Sequence, residues 1–187
     1  MKKTNYLIED ILENERGWVF YDTNLKLFRK IINSVSGNNI IDIGCGGGLM
    51  IGLLKLFNPK LNVSGFEGSE SIRDIWKTRK LEVKTGDIYD LPFKDNEFDT
   101  VLSSHVIEHL ENPEKMIKES LRISNKRVIH IVPEGNVNEK NFGTPHLKIY
   151  DRINFLNYFN QKNIKVINYE SIQDAHMSSL FICIEKK

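Results

Sequence analysis

IDIGCGGG, residues 41–48, joins a short apolar run to a turn that contains four glycines. The apolar run predicts a buried strand, and the pattern that follows it, residues 49–57, predicts a helix. Glycine permits the positive φ angles of a tight turn, and the first turn of a helix offers unpaired N–H groups to a ligand. We therefore expect a strand, a turn and a helix, with a binding site at the turn.

Strand and helix patterns alternate along the rest of the chain. We predict strands at residues 61–66, 81–84, 98–103, 127–132, 164–169 and 180–184, and helices at residues 69–80, 113–123 and 152–159. This order is typical of a mostly parallel sheet covered by helices on both faces, with the last two strands as an antiparallel hairpin. Two amphipathic helices, separated near Gly17, are predicted within residues 4–35.

The composition is that of one globular domain. The chain has 187 residues, of which 40% are hydrophobic and 27% charged, and its formal net charge is +1. This balance gives no reason to expect a nucleic-acid or membrane partner. Cys45 and Cys183 form no disulfide or zinc pattern, and acidic residues interrupt the apolar positions near the start. We therefore expect a cytoplasmic protein with no membrane span.

Two nucleotide-binding motifs fit the glycine turn poorly. The dinucleotide fingerprint needs glycine or alanine where this chain has Leu49, and the phosphate-binding loop needs a Gly-Lys-Ser/Thr sequence that is absent. Spacing therefore disfavours both motifs.

A third motif fits the turn well. With Asp42 and three alternate glycines, IDIGCGGG resembles the first motif of class I S-adenosylmethionine-dependent methyltransferases. Glu67, in GFEGSE, is similar to the family's acidic residue that holds both ribose hydroxyls. GDIYDLPF, residues 86–93, resembles the segment in which Asp87 accepts from the adenine amino group and the backbone of Ile88 meets the ring. Taken singly, Asp42 could simply cap a turn and Glu67 could be an exposed strand-end acid.

FDTVLSSHVIEHLENPEK, residues 98–115, resembles the fourth-strand segment of the family's small-molecule branch, the methyltransferase type 11/23-like proteins. The resemblance covers about residues 38–187. It implies a Rossmann-like three-layer α/β/α sandwich, a seven-stranded mostly parallel sheet with an antiparallel terminal hairpin, and a single domain over residues 1–187. Within that domain we expect an N-terminal helical cap at residues 1–37 and the core at residues 38–187.

The same resemblance implies a cofactor, S-adenosylmethionine, and its product, S-adenosylhomocysteine. The residues expected to bind the cofactor are Asp42, Gly44, Cys45, Gly46, Gly48, Glu67, Gly68, Asp87, Ile88, Ser103, Ser104 and Tyr21. Tyr21 lies in the N-terminal segment that covers the cofactor in this family, where an aromatic ring could contact the cationic sulfonium.

Two histidines are candidates for a catalytic base. His105 follows the fourth strand, and His146 follows the long loop at residues 134–145. A loop-ordering role for His146 stays open, and Tyr21 is a third candidate for the base. His130 lies in an apolar strand, where we expect a core residue with satisfied hydrogen bonds.

His105, Glu108 and His109 spell H-x-x-E-H, which taken literally is an inverted zinc-protease motif with both histidines on one face of a helix. We reject the protease, because the segment follows the fourth strand of a nucleotide-binding sheet. Some methyltransferases hold Mg²⁺ with a related E-x-x-E-H pattern, but His105 replaces the first glutamate and would suit a softer ion. We therefore expect no metal, and a structural hydrogen bond for His109.

The expected function is O-methylation of a small molecule or of a sugar or carrier-linked intermediate. Ser103 and Ser104 replace the N-P-P-Y pattern of enzymes that methylate amino groups of DNA bases or protein glutamine. One alternative is a metal-dependent methyltransferase that acts on an RNA terminus or a catechol-like ring. Another is a non-catalytic subunit that binds S-adenosylmethionine for a partner enzyme. The sequence predicts no oligomeric state.

Overall fold

The computed structural model describes residues 22–135, 148–160, 162–173 and 178–187. The elements in chain order are α1 (Asp22–Ser34), β1 (Asn39–Ile43), α2 (Leu49–Phe57), β2 (Asn62–Glu67), α3 (Arg73–Arg79), β3 (Val83–Thr85), β4 (Phe98–Ser104), a 3-10 helix (Ile107–His109), α4 (Pro113–Ile123), β5 (Ser124–Glu134), α5 (Arg152–Asn157), β6 (Ile164–Gln173) and β7 (Ser178–Lys186). The first helix predicted for the N-terminal cap lies outside the described residues.

All seven strands form one sheet in the order β3-β2-β1-β4-β5-β7-β6. The pairs among β1 to β5 are parallel, and β7 runs antiparallel to both β5 and β6. The predicted α/β architecture with an antiparallel terminal hairpin is confirmed. Because the parallel strands point the same way, the turns after β1, β2 and β4 meet at one edge of the sheet.

The core consists of two apolar clusters, one on each face of the sheet. Ile41 and Ile43 of β1 lie in one cluster with residues of α4 and α5, whereas Ile40 lies in the other with residues of α1 and α2. Successive side chains of a strand point to opposite faces, so a strand that is apolar at every position is buried on both sides. This packing produces the three layers.

Several elements differ in length from their predicted bounds. A turn at residues 71–72 precedes the helix, and α3 begins at Arg73 and not at residue 69. The fifth strand begins at Ser124, directly after α4, and α5 ends at Asn157. The third strand, Val83–Thr85, starts two residues later than predicted. The last two strands are longer than predicted because they pair with each other along nearly their whole length.

No helix in the described ranges is both long and apolar enough to cross a membrane.

Candidate functional site

The glycine turn leaves the carboxyl end of β1 in a conformation that three glycines make possible. Gly44, Gly46 and Gly48 have φ angles of 71°, 51° and 85°. The N–H groups of Gly44 and Cys45 donate to the carbonyl of Phe66 at 2.7 and 3.1 Å, which fixes the turn against β2. Side chains with a Cβ are strained at such angles, so the spacing of these glycines is set by the backbone.

The three glycines differ in the space that a Cβ would have at each of them. A Cβ on Gly44 would overlap the side chain of Val106, and one on Gly48 would overlap Leu81. Among the residues that the structure describes, a Cβ on Gly46 would meet no heavy atom within 4 Å. Gly46 therefore faces open space, and the other two glycines are needed for the protein's own packing.

Glu67 ends β2 and holds the open part of the turn. Its Oε2 accepts a hydrogen bond from the N–H of Gly46 at 2.9 Å, and its Oε1 accepts one from the N–H of Ser69 at 3.2 Å. Each carboxylate oxygen has two lone pairs, so both oxygens retain the capacity for a further bond. The carboxylate thus combines a structural role with spare acceptor capacity at the edge of the sheet.

Two side chains of α3 support the turn from the opposite side. The indole Nε1 of Trp76 donates to the carbonyl of Gly46 at 2.7 Å, and a guanidinium nitrogen of Arg79 donates to the carbonyl of Gly47 at the same distance. Both side chains are buried. No sequence pattern predicts these contacts, because helical periodicity identifies Trp76 only as an apolar position.

Asp42 and Cys45 lie behind the turn. The carboxyl of Asp42 is only 3% exposed, and its burial, followed by the charge of Glu67, raises its pKa to about 8. Burial, with the charges of the same two acids, also raises the pKa of the Cys45 thiol. A Cβ on Gly65 would lie 2.6 Å from the Cys45 sulfur, so this thiol packs against β2. Both predicted binding residues are therefore buried beneath the turn.

Gly68, Asp87 and Ile88 lie near the ends of β2 and β3. A Cβ on Gly68 would come no closer than 4.0 Å to the carbonyl of Gly86, its nearest neighbour. Asp87 is exposed and accepts a hydrogen bond from the N–H of Tyr89 at 2.8 Å, whereas Ile88 packs half-buried against the core. The structure thus places an acid and an apolar residue side by side at the sheet edge.

The segment that carries Asp87 is fastened to α4. Arg122 donates to the carbonyls of Leu91 and Phe93 at 3.0 and 2.7 Å. Glu119, which pairs with Arg122, accepts from the N–H of Leu91 at 2.8 Å. These bonds hold an otherwise irregular segment in a fixed position.

The end of β4 carries three of the predicted residues. Ser103 is fully buried, and its Oγ has no hydrogen-bond partner in the part of the chain that the structure describes. Ser104 is half-buried. His105 has a φ of 55°, and its N–H donates to the carbonyl of Ile131 at 2.9 Å. The backbone leaves β4 in a left-handed conformation that non-glycine residues adopt infrequently.

Glu108 lies in the 3-10 helix after His105. Its side chain is 0% exposed, and neither carboxylate oxygen has a hydrogen-bond partner among the residues described. The Oε1 atom is 3.3 Å from Nδ1 of His105 and 4.0 Å from Nε2 of His109. This distance from His105 suits an ion pair, but the groups are not aligned as a hydrogen bond.

The H-x-x-E-H sequence does not form the helix face that its spacing suggests. His105 precedes the 3-10 helix in a left-handed turn, so His105 and His109 are not one α-helical turn apart. Within residues 22–135, 148–160, 162–173 and 178–187, no three His, Cys, Asp or Glu side chains are grouped so that they could hold a metal ion.

His130 lies on β5 beside Ser103 of β4. It is fully buried, as predicted, but the prediction of satisfied hydrogen bonds is wrong, because neither ring nitrogen has a partner among the described residues. Its ring lies 5.8 Å from that of Phe159. Burial lowers the pKa of His130 to about 3, so the ring is neutral in the folded protein.

Two predicted residues, Tyr21 and His146, lie outside the described residues. Their roles remain predictions.

A cavity of about 570 Å³ lies between α4 and α5. It is lined by Glu114, Ile117, Lys118, Asn154, Asn157, Tyr158 and Asn160. Since none of these residues belongs to the glycine turn or to the ends of β2 and β4, we assign the cavity no part in this site.

The fold and the site together define a class of protein. The parallel strands run in the order 3-2-1-4-5, the glycine turn follows the central strand, and an acid ends the neighbouring strand. Ligands of such sheets bind where the strand order reverses, between β1 and β4. This is a Rossmann-like α/β protein with its binding edge at the glycine turn.

Comparisons with known proteins find similarity to methyltransferases. A family model described as "Methyltransferase domain" matches residues 41–132. Ajmaline N-methyltransferase of Rauvolfia serpentina is 36% identical over 94 residues, which are 46% of this chain and 32% of that protein. Demethylmenaquinone methyltransferase of Lactobacillus johnsonii is 26% identical over 135 residues, 67% of this chain and 50% of that protein.

Solved structures share the fold at lower identity. A possible histamine N-methyltransferase from Thermotoga maritima has a TM-score of 0.70 at 19% identity, covering 97% of this chain and 99% of that chain. Magnesium protoporphyrin IX methyltransferase from Synechocystis, solved with bound S-adenosylhomocysteine, also has a TM-score of 0.70, at 15% identity, covering 88% of this chain and 84% of that chain.

Over residues 41–132 the chain is therefore similar to methyltransferase domains, the similarity that its motifs predicted. It spans about a third of the length of the ajmaline enzyme and half that of the demethylmenaquinone enzyme.

Proposed function

We propose that this protein transfers a methyl group from S-adenosylmethionine to a small-molecule acceptor and releases S-adenosylhomocysteine. The observation that carries the proposal is the open space at Gly46, next to the carboxylate of Glu67. In a sheet of this topology, that space lies where a nucleotide-type ligand binds. The family match and the named methyltransferases among the relatives support the same reaction.

The residues at this edge fit the cofactor. Glu67 has spare lone pairs for the ribose hydroxyls, and Asp87 is exposed beside the half-buried Ile88 for the adenine ring. The backbone at Gly46 and Gly68 allows a close approach. The remaining predicted residues, Asp42, Gly44, Cys45, Gly48, Ser103 and Ser104, shape the turn or the adjoining end of β4. When bound, the cofactor supplies a methyl group that is already activated for transfer.

The acceptor we propose is a hydroxyl group on a small molecule or on a sugar or carrier-linked intermediate. His105 directly follows β4 at the same sheet edge as the glycine turn, and a neutral imidazole can take the proton that a hydroxyl loses. Alignment of donor and acceptor supplies much of the remaining rate enhancement.

A nitrogen acceptor is the second candidate. It is favoured by the name of ajmaline N-methyltransferase, which matches nearly half of the chain. An amine that is already unprotonated needs no base. The two candidates therefore differ in their dependence on His105.

Calorimetric titration with S-adenosylmethionine and S-adenosylhomocysteine tests the cofactor, with NAD as the control ligand and a parallel titration in chelator. We expect both adenosyl ligands to bind and NAD not to bind. Failure of freshly purified, folded protein to bind either adenosyl ligand, after a check for carried-over ligand, would overturn the proposal.

Formation of S-adenosylhomocysteine with a panel of alcohols, phenols and amines then tests the reaction. Turnover with a hydroxyl compound, abolished by His105→Ala, supports the oxygen acceptor, whereas turnover with amines that His105→Ala leaves intact supports the nitrogen acceptor. Loss of turnover in chelator and its return with one divalent ion would identify a metal-dependent enzyme. Tight binding with no turnover on any compound would identify a non-catalytic subunit.

A further inference from the structure

His105 and Glu108 form a corner that is unfavourable in two ways. His105 holds a left-handed backbone conformation, with a φ of 55°. Three residues later, Glu108 buries its whole side chain while neither of its carboxylate oxygens has a hydrogen-bond partner among the described residues. Strained backbones and unpartnered buried polar groups both reduce stability, and such features concentrate at functional sites.

This corner is packed directly onto the glycine turn. Val106, between the two residues, fills the volume that a Cβ of Gly44 would occupy. The N–H of His105 donates to the carbonyl of Ile131 at 2.9 Å, and the carbonyl of Glu108 accepts from the N–H of Lys148 at 3.0 Å. Both ends of the corner are therefore fixed, and the corner is rigidly placed beside the binding edge.

The carboxylate of Glu108 lies closer to Nδ1 of His105 than to Nε2 of His109. Oε1 lies 3.3 Å from Nδ1, and the imidazole is 24% exposed whereas the carboxylate is fully buried. A carboxylate at this distance favours the proton on Nδ1, because it can only accept a hydrogen bond.

We propose that Glu108 is a positioning residue that holds His105 in the Nδ1–H tautomer, with Nε2 left unprotonated as the proton acceptor for a hydroxyl substrate. This inference rests on the proposed methyl transfer and deepens it by naming the substrate class. In the step, the acceptor O–H bond breaks and its proton passes to Nε2 of His105. The new O–C bond forms as the S–C bond of the donor breaks, and that electron pair stays on sulfur. The negative charge of Glu108 then faces the cationic imidazole.

The test is a set of ring ¹⁵N spectra of His105 in the free protein, which report which nitrogen carries the proton. Histidine in water prefers the Nε2–H tautomer. We expect Glu108 to reverse this preference in His105. We expect the Nδ1–H form in the unsubstituted protein and in Glu108→Gln, which retains an acceptor oxygen. In Glu108→Met, which removes the acceptor, we expect the Nε2–H form to predominate. Glu111→Met, an exposed glutamate three residues on, is the matched control and should leave the spectrum unchanged.

Two further readouts separate positioning from a structural role. A buried carboxylate that accepts no hydrogen bond carries a desolvation cost that an apolar side chain of similar volume avoids, and His105 can stay neutral without it. Thermal unfolding of Glu108→Met is therefore expected at the same or a higher temperature. With a hydroxyl substrate from the panel, its kcat should fall at least about tenfold, since a general base contributes 10² or more. The Kd for S-adenosylmethionine should stay within about twofold.

An Nε2–H tautomer in the unsubstituted protein, or an unchanged spectrum in Glu108→Met, would overturn the inference. The first of these outcomes needs no variant, so the test holds even if Glu108→Met does not fold. The spectra are independent of cofactor binding. Failure of the proposed function would appear as absent S-adenosylmethionine binding, and failure of this inference as the wrong tautomer.

Discussion

The carboxylate of Glu67 accepts a hydrogen bond from the N–H of Gly46 at 2.9 Å, across 21 positions of the chain. The bond joins the residue that ends β2 to a residue of the turn after β1 that has free space around it among the described residues. One side chain therefore both fixes the shape of the turn and offers lone pairs to a ligand lying above it.

Glu67→Ala is expected to weaken S-adenosylmethionine binding about fivefold or more, because it removes charged acceptors that are worth more than about 1 kcal/mol. Calorimetric titration measures the change. Glu82→Ala is the matched control, since Glu82 is an exposed glutamate just before β3, and its Kd should equal that of the unsubstituted protein. An unaltered Kd in Glu67→Ala would remove Glu67 from the binding site.

Gly46→Ala is expected to reduce cofactor affinity with a modest loss of stability, whereas Gly44→Ala is expected to lose more stability. The new Cβ of Gly46→Ala enters open space, so the free energy of unfolding should fall by only about 1–2 kcal/mol, from the positive φ. Cofactor affinity should fall at least about tenfold, because the same space would receive the ligand. Gly44→Ala also overlaps Val106 and should lose more stability. Denaturant unfolding and calorimetry separate the two effects; equal cofactor affinity in Gly46→Ala would contradict the assignment.

Trp76→Phe is expected to lower the free energy of unfolding by about 1 kcal/mol, because the carbonyl of Gly46 loses its indole donor. Urea unfolding measures this change. Phe57→Leu is the control: Phe57 is 64% exposed at the end of α2, and its substitution should change stability by less than about 0.5 kcal/mol. Equal stability of Trp76→Phe and the unsubstituted protein would show that the indole bond contributes nothing.

Asp42→Asn is expected to flatten the pH dependence of stability between the unfolded and folded pKa values of Asp42. The Asp42 pKa is raised from 3.8 to about 8 in the folded protein, so between these values the folded state keeps a proton that the unfolded state loses. Stability therefore falls as the pH rises through this window. The melting temperature of Asp42→Asn, relative to the unsubstituted protein, should be higher at about pH 8.5 than at about pH 5. Asp74→Asn, an exposed control on α3, should show no such difference.

His130→Leu is expected to reduce the loss of stability at acid pH. The pKa of His130 falls from 6.5 to about 3 on folding. Between these two pH values the unfolded state binds a proton that the folded state does not bind. Stability is lost as the pH falls through this window, and a leucine at the same site removes this contribution. Melting temperatures measured at several pH values below 7 should decline less steeply for the variant. A decline as steep as that of the unsubstituted protein would place the acid sensitivity elsewhere.

The fold could be predicted because its strands are apolar and its turns are marked by glycine. The start of β5 could not, because Ser124 and the two residues after it are polar and follow α4 without a loop. What orders them is pairing with β4, where the register shifts near Phe98. Such long-range pairing leaves no periodic pattern in the sequence.

The sequence predicted only those parts of the site where the local backbone conformation demands a particular residue type. The positive φ angles of Gly44, Gly46 and Gly48 are of this kind. The support of the turn by Trp76 and Arg79 comes from a helix about 30 positions away, and no spacing rule connects them. The buried carboxylate of Glu108, which accepts no hydrogen bond from the described residues, is likewise a tertiary feature, since the same sequence would suit an exposed helix.

The sheet order also constrains how the protein assembles. The chain makes β6 before β7, yet in the sheet β7 lies between β5 and β6, and β6 joins the sheet only through β7. Addition of strands in the order of synthesis therefore stops at β5. Strand β6 can therefore join the sheet only after β7 has been synthesised. It either pairs with β7 already in the sheet or docks together with β7 as a preformed hairpin. Docking of that hairpin onto β5 would be a late and separable folding step, with a rate set by closure of the chain between β5 and β7.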